Sequence, residues 1–142
     1  MVNEALIRNR ISDPIDFTVA DATAIAKGAL LALTDERTAI LSSSVAQPLA
    51  GIAAREKVAS DGRTNLAVYY DGVFDMVASG AIRIGAWVVS GTTGSLNYVE
   101  EAKIFTSGGS TYATASGAQL LGYSLGTAAD NEIVQIMVHV GR

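Results

Sequence analysis

Apolar and polar residues alternate with a period of two in several short stretches of this chain, the pattern of half-buried β-strands. In residues 15–19, Ile15, Phe17 and Val19 share one face. In residues 64–70, Leu66, Val68 and Tyr70 do the same. Asp71-Gly72 then reads as a tight turn into a strand over residues 73–77. Residues 86–90 read as a short buried strand. Residues 133–140 alternate most clearly, with Val134, Ile136, Val138 and Val140 on one face and Ile133, Gln135, Met137 and His139 on the other. Residues 20–25, capped by Asp21, and residues 45–49 have the composition for single helical turns. No stretch holds a 3.6-residue apolar period over three turns. The pattern predicts an all-β chain, a compact barrel or sandwich of short strands.

The order of these elements repeats. Ala24-Ile25-Ala26-Lys27-Gly28-Ala29-Leu30-Leu31 resembles Ala81-Ile82-Arg83-Ile84-Gly85-Ala86-Trp87-Val88. Leu49-Ala50-Gly51-Ile52-Ala53 resembles Leu120-Leu121-Gly122-Tyr123-Ser124. Each copy continues through a polar turn (Ser60-Asp61-Gly62 or Ala129-Asp130-Asn131) into an apolar strand and ends at a glycine, Gly72 or Gly141. The second copy is longer, and its extra residues fall around 98–117. Two pseudo-repeated β-modules are expected within one domain. Its predicted bounds are 16–142, with an N-terminal arm over 1–15 and an insertion loop at about 95–117 able to project from the body.

Composition narrows the function. A chain of 142 residues can bury its own core. It contains no cysteine, which excludes disulfide frameworks, zinc–thiolate sites and cysteine nucleophiles. The net charge is -4 and the pI about 4.8, and the nearest approach to a basic cluster is Arg8 with Arg10. A nucleic-acid partner is not expected. Nor is a membrane, because apolar runs such as residues 29–33 fall far short of the roughly 20 residues of a spanning helix. The first residues lack the basic and apolar regions of a secretion signal. Yet charged residues are only 17% of the chain and mean hydropathy is +0.31. Surplus apolar surface of this kind is expected to be covered by protein, in a homo-oligomer or a larger assembly.

Candidate chemistry is sparse. His139 is the only histidine and has no nucleophile motif around it. The acid pairs Asp13/Asp16, Asp35/Glu36 and Glu100/Glu101 are not placed opposite one another by the pattern. The first two read as turn residues and the third as solvated charge. Gly91-Thr92-Thr93-Gly94 lacks the lysine of a phosphate loop. Trp87, on a short apolar strand, reads as a core or subunit contact. No cofactor, metal or catalytic residue is expected.

The ordered series Ile25-Ala26-Lys27-Gly28-Ala29-Leu30, Leu49-Ala50-Gly51-Ile52-Ala53-Ala54-Arg55-Glu56, Leu66-Ala67-Val68-Tyr69-Tyr70-Asp71-Gly72-Val73-Phe74-Asp75, Gly80-Ala81-Ile82-Arg83-Ile84-Gly85-Ala86-Trp87-Val88 and Leu121-Gly122-Tyr123-Ser124-Leu125 resembles the capsid cement, or decoration, proteins of tailed phages and related viruses. The resemblance runs from about Phe17 to Val140. It implies a non-catalytic β-barrel protein of the virion, often trimeric, made in the host cytoplasm. Its partners would be the outer face of the major capsid protein lattice and further copies of itself. Capsid or subunit contacts are expected on the arm, at Leu6, Ile7, Arg8, Arg10, Ile11 and Asp13, which precedes the first core strand and is free to order on a partner. Trp87, Tyr98 and Tyr112 are the aromatic candidates. The residues alone leave two other readings open. One is a different virion β-module, such as a tail-tube or fibre-base component. The other is a carbohydrate- or small-ligand-binding β-domain with Trp87 and the tyrosines as platform.

Overall fold

The computed structural model describes residues 4–43, 47–91, 97–102, 104–107, 110–113 and 119–141, with backbone alone in 104–107 and 110–113. The described residues form thirteen strands. These are β1 (Leu6–Asn9), β2 (Ile15–Thr18), β3 (Leu30–Asp35), β4 (Thr38–Leu41), β5 (Leu49–Ala53), β6 (Asn65–Tyr69), β7 (Asp71–Ala78), β8 (Trp87–Ser90), β9 (Tyr98–Glu101), β10 (Ile104–Ser107), β11 (Ser110–Ala113), β12 (Gly122–Ser124) and β13 (Ile133–His139).

They build two closed five-stranded barrels. The first runs β2-β4-β3-β5-β6 and the second β7-β9-β8-β12-β13. In each, four antiparallel pairings are closed by one parallel pairing, β2 with β4 and β7 with β9. The repeat read from the sequence is therefore a repeat of topology. Closure leaves few open strand edges, and β1 covers part of one by pairing with β7.

Matching residues perform matching tasks. Ile25 and Lys57 exchange backbone hydrogen bonds across the end of barrel 1, as Ile82 and Ala128 do in barrel 2. Gly28 N–H donates to Ala53 O, and Gly85 N–H to Ser124 O, each at 2.8 Å. Gly51 and Gly122 are held by crowding. A Cβ on Gly51 would stand 2.0 Å from Tyr69 O, and one on Gly122 would stand 1.9 Å from Met137 O. No side chain fits either place, so both copies keep glycine there.

Two apolar cores result. Phe17, Val19, Ile25, Leu31, Leu66 and Val68 fill barrel 1. Met76, Ile82, Val88, Val99, Leu121, Val134, Ile136 and Val138 fill barrel 2. The second core does not stop at its own barrel. It continues through Phe74 onto Leu30, Leu49, Ile52 and Tyr69, which lie outside the first core. Burying each large aliphatic side chain contributes about 1.5–3 kcal/mol, so this continuation binds the barrels into one body.

Three local expectations change. Asp71-Gly72 makes no hairpin. β6 and β7 pair with other strands, and the chain crosses from barrel 1 to barrel 2 at this point. Asp71 is buried and accepts a hydrogen bond from the Ser12 hydroxyl. Gly72 has φ 134°, and a Cβ there would meet Asn9 O at 2.9 Å, so the glycine serves a close approach of β1. Residues 20–25 form a turn and bridge, because the carbonyls of Asp21 and Thr23 turn inward to Lys57. Of the second expected turn, residues 45 and 46 lie outside the described residues, and Leu49 opens β5. The insertion contains the hairpin β10–β11.

Candidate functional site

The arm is partly docked. β1 pairs antiparallel with β7, Ala5 N–H donates to Gly28 O at 2.8 Å, and Ile7 packs on the second core. Leu6 sits across from Asp75 and is exposed. Arg8 is paired with Asp75, its Nε donating to Oδ2 at 2.7 Å. Arg10 is paired with Asp13 beyond the strand, and Ile11 stands exposed between them. The arm expected to be free thus has a fixed half, 5–9, and a surface half, 10–13.

The aromatic candidates separate. Trp87 is 47% exposed on the outside of barrel 2. It belongs to no core, because the interior position beside it is taken by Val88. Tyr98 is half-buried, and its hydroxyl donates to Asn131 Oδ1 at 3.1 Å. Tyr112 lies on β11, where only the backbone is described.

Of Trp87's neighbours, sequence reading named Tyr123 only as part of a possible ligand platform and did not select Met137 or Val73. Register places it directly opposite Tyr123, Tyr123 opposite Met137, and Met137 opposite Val73. This row crosses four strands on the outer face. Tyr123, Leu125, Ile133 and Ile84 are exposed in barrel 2 as well. The signal was present in the repeat. Trp87 and Tyr123 align with Leu30 and Ile52, and large apolar side chains at both places mark them as covered positions.

Several charged groups are paired. Arg83 bridges Glu101, and that guanidinium holds the Glu101 carboxyl below its ordinary range. Asp61 is likewise lowered, chiefly because the Arg63 backbone N–H donates to it at 2.9 Å, with Lys57 nearby assisting. Lys57 is completely buried. Its Nζ donates to the carbonyls of Asp21 (2.6 Å), Thr23 (3.2 Å) and Val58 (3.2 Å), and lies 3.4 Å from Asp61 Oδ1. It closes the end of barrel 1 where Ala128 closes barrel 2. Glu100 corrects its sequence reading as solvated charge. It is buried opposite Val89, and its Oε1 has no hydrogen-bond partner among the described residues.

His139 is half-buried on β13, opposite Asp71 in register. Among the described residues, no group of three or more His, Cys, Asp or Glu is placed to hold a metal. A shallow cleft of about 250 Å³ lies between the arm and barrel 1, lined by Glu4, Lys27 and apolar or glycine residues, Tyr69 and Phe74 among them. What the molecule offers most is surface: an apolar row on barrel 2 and a charged, apolar-tipped segment at residues 10–13.

Comparison with known proteins agrees with a contact-making molecule. No curated protein matches the chain significantly. The family model described as "Phage cement protein" matches residues 10–140. That span covers both barrels and nearly the whole chain, so the chain belongs to the phage cement protein family.

Proposed function

We propose that this protein binds the outer surface of the major capsid protein lattice as a homotrimer and stabilises the capsid without catalysis. The observation that carries this reading is the family match over residues 10–140. The apolar surplus of the composition and the uncovered row on barrel 2 support it. The mechanism is linkage. A ligand that binds the assembled lattice, and not its dissociated subunits, stabilises the lattice by mass action. Several copies held together bind with an effective concentration that a single copy lacks.

The segment at residues 10–13 is the part of the arm left for the capsid. Arg10, Ile11 and Asp13 are exposed and stand beyond the strand that anchors them. Deleting the whole arm would be a poor probe, since it would strip β1 from β7. Arg10→Glu combined with Ile11→Asp leaves β1 in place.

The test mixes purified protein with expanded empty capsids of its virus. Co-sedimentation at fixed stoichiometry and a raised capsid melting temperature are expected. The double variant should bind at least about tenfold more weakly, a change of about 1.4 kcal/mol. A protein that ignores capsids, or assembles into long tubes alone, would transfer the reading to a tail component.

A further inference from the structure

We propose that the apolar row on barrel 2 is covered by a second copy of this chain, which presents the Ile15 rim of its own barrel 1. The proposal takes self-association from the reading above and adds the surface and the mode of contact.

Its basis is the repeat. In barrel 1, Leu30, Ile52 and Tyr69 lie side by side across β3, β5 and β6. Leu30 is 1% exposed and Ile52 is 0% exposed, because barrel 2 and β1 pack over them. In barrel 2, Trp87, Tyr123 and Met137 hold the same three places across β8, β12 and β13. There the row is open, with Tyr123 39% exposed. A strand face turned to water normally carries polar residues. This one carries tryptophan, tyrosine and methionine, with Gln135 and His139 flanking Met137 on the same face of β13, which is the make-up of a protein interface.

The occupant follows from what does the covering inside one chain. Phe74 lays its ring against Tyr69, with centroids 5.8 Å apart. Phe74 pairs with Ile136 in barrel 2, and Ile15 pairs with Val68 at the corresponding register in barrel 1. Ile15 is thus the counterpart of Phe74, and it is 40% exposed. Each copy therefore has an uncovered row on barrel 2 and an unused cover on barrel 1. Joining them between copies repeats the contact already made within the chain. Such a contact is head-to-tail, and it stays finite only by closing into a ring.

The test uses the full chain, free of capsids, and reads its mass in solution. The wild type should be a small closed oligomer. Trp87→Arg and Ile15→Asp, both on exposed side chains, should each weaken association by at least about tenfold and leave the circular dichroism spectrum unchanged. Mixed together, the two variants should form a one-to-one dimer, since one intact contact remains between them. The chain has no cysteine, so Ile15→Cys and Met137→Cys should form a disulfide between copies only when both are present. A wild-type monomer, an oligomer that survives both substitutions, or variants that stay apart on mixing would overturn the proposal. Capsid binding is read separately. A wild-type monomer that still decorates capsids, and loses this with Trp87→Arg, would hand the row to the capsid protein and leave the cement reading standing. An intact ring that ignores capsids would do the reverse.

Discussion

Barrel 1 and barrel 2 have the same strand order, the same parallel closure and the same crowded glycine. They differ in what lies over the same three outer positions. Leu30, Ile52 and Tyr69 are roofed by the rest of the chain, while Trp87, Tyr123 and Met137 face outward. Comparable apolar residues therefore serve as core in one copy and as surface in the other. Fold alone does not decide which positions are interior. The neighbour does, and for barrel 2 none of the described residues supplies it.

The largest effect should come where the barrels are alike. Gly51→Ala and Gly122→Ala each push a methyl group into a backbone carbonyl, at 2.0 and 1.9 Å. Each should cost about 3 kcal/mol or more, read as a lowered midpoint in chemical unfolding. A large inequality between the two would mean that the barrels are not equivalent frameworks.

The next comparison separates them. Ile52→Ala should cost about 2–5 kcal/mol, the range for a truncated core side chain. Tyr123→Ala, at the matching place, should cost under about 1 kcal/mol in the isolated monomer. Unequal losses at equal positions would confirm that only one row is roofed. Equal losses would show that Tyr123 is structural.

A smaller effect should have the opposite sign. Glu100 occupies the place of Ile40 in barrel 1 and is buried, with one oxygen unpaired among the described residues. Glu100→Ile should stabilise the fold by about 1 kcal/mol, because an unpaired buried polar atom costs about 1–3 kcal/mol. Thermal unfolding would show it, and a lower Tm would mean that the carboxylate serves a partner.

The smallest effect is acid sensitivity. Asp61 in barrel 1 and Glu101 in barrel 2 both have folded pKa values below their unfolded ones. Their contribution is present above the ordinary carboxylate range and is lost as pH falls through the depressed values, below about pH 4. Asp61→Asn and Glu101→Gln should each flatten the fall in stability with acid, measured by unfolding at pH 5 and pH 3. Both side chains reach solvent, so each flattening should be slight.

Much of this was legible in the chain. β2, β6 and β13 announce themselves because one face is core and the other is not, which period-two alternation records directly. The repeat was legible because Gly28/Gly85 and Gly51/Gly122 answer to backbone geometry, the first pair through a positive φ and the second through crowding by a carbonyl. What escaped depends on distant partners. The close approach of Asn9 to Gly72 hid the crossing between barrels behind an ordinary turn dipeptide. Nothing near Lys57 in the sequence marks it for burial, because the three carbonyls that hold it meet only in the folded chain. Glu100 looked solvated because nothing local says that β9 presents it opposite Val89. Trp87 is apolar whether it faces a core or a partner, so its type could not say which.

A single residue, Tyr70, separates the last strand of barrel 1 from the first of barrel 2. A junction this short has no slack to take up a load. Tension applied to one barrel passes at once into the hydrogen-bonded ladder of the other, and the shared core resists their rotation against each other. For a member of the phage cement family, that makes the pair a stiff tie rather than two beads on a string. Lengthening the junction with a few flexible residues should spare each barrel while softening the whole.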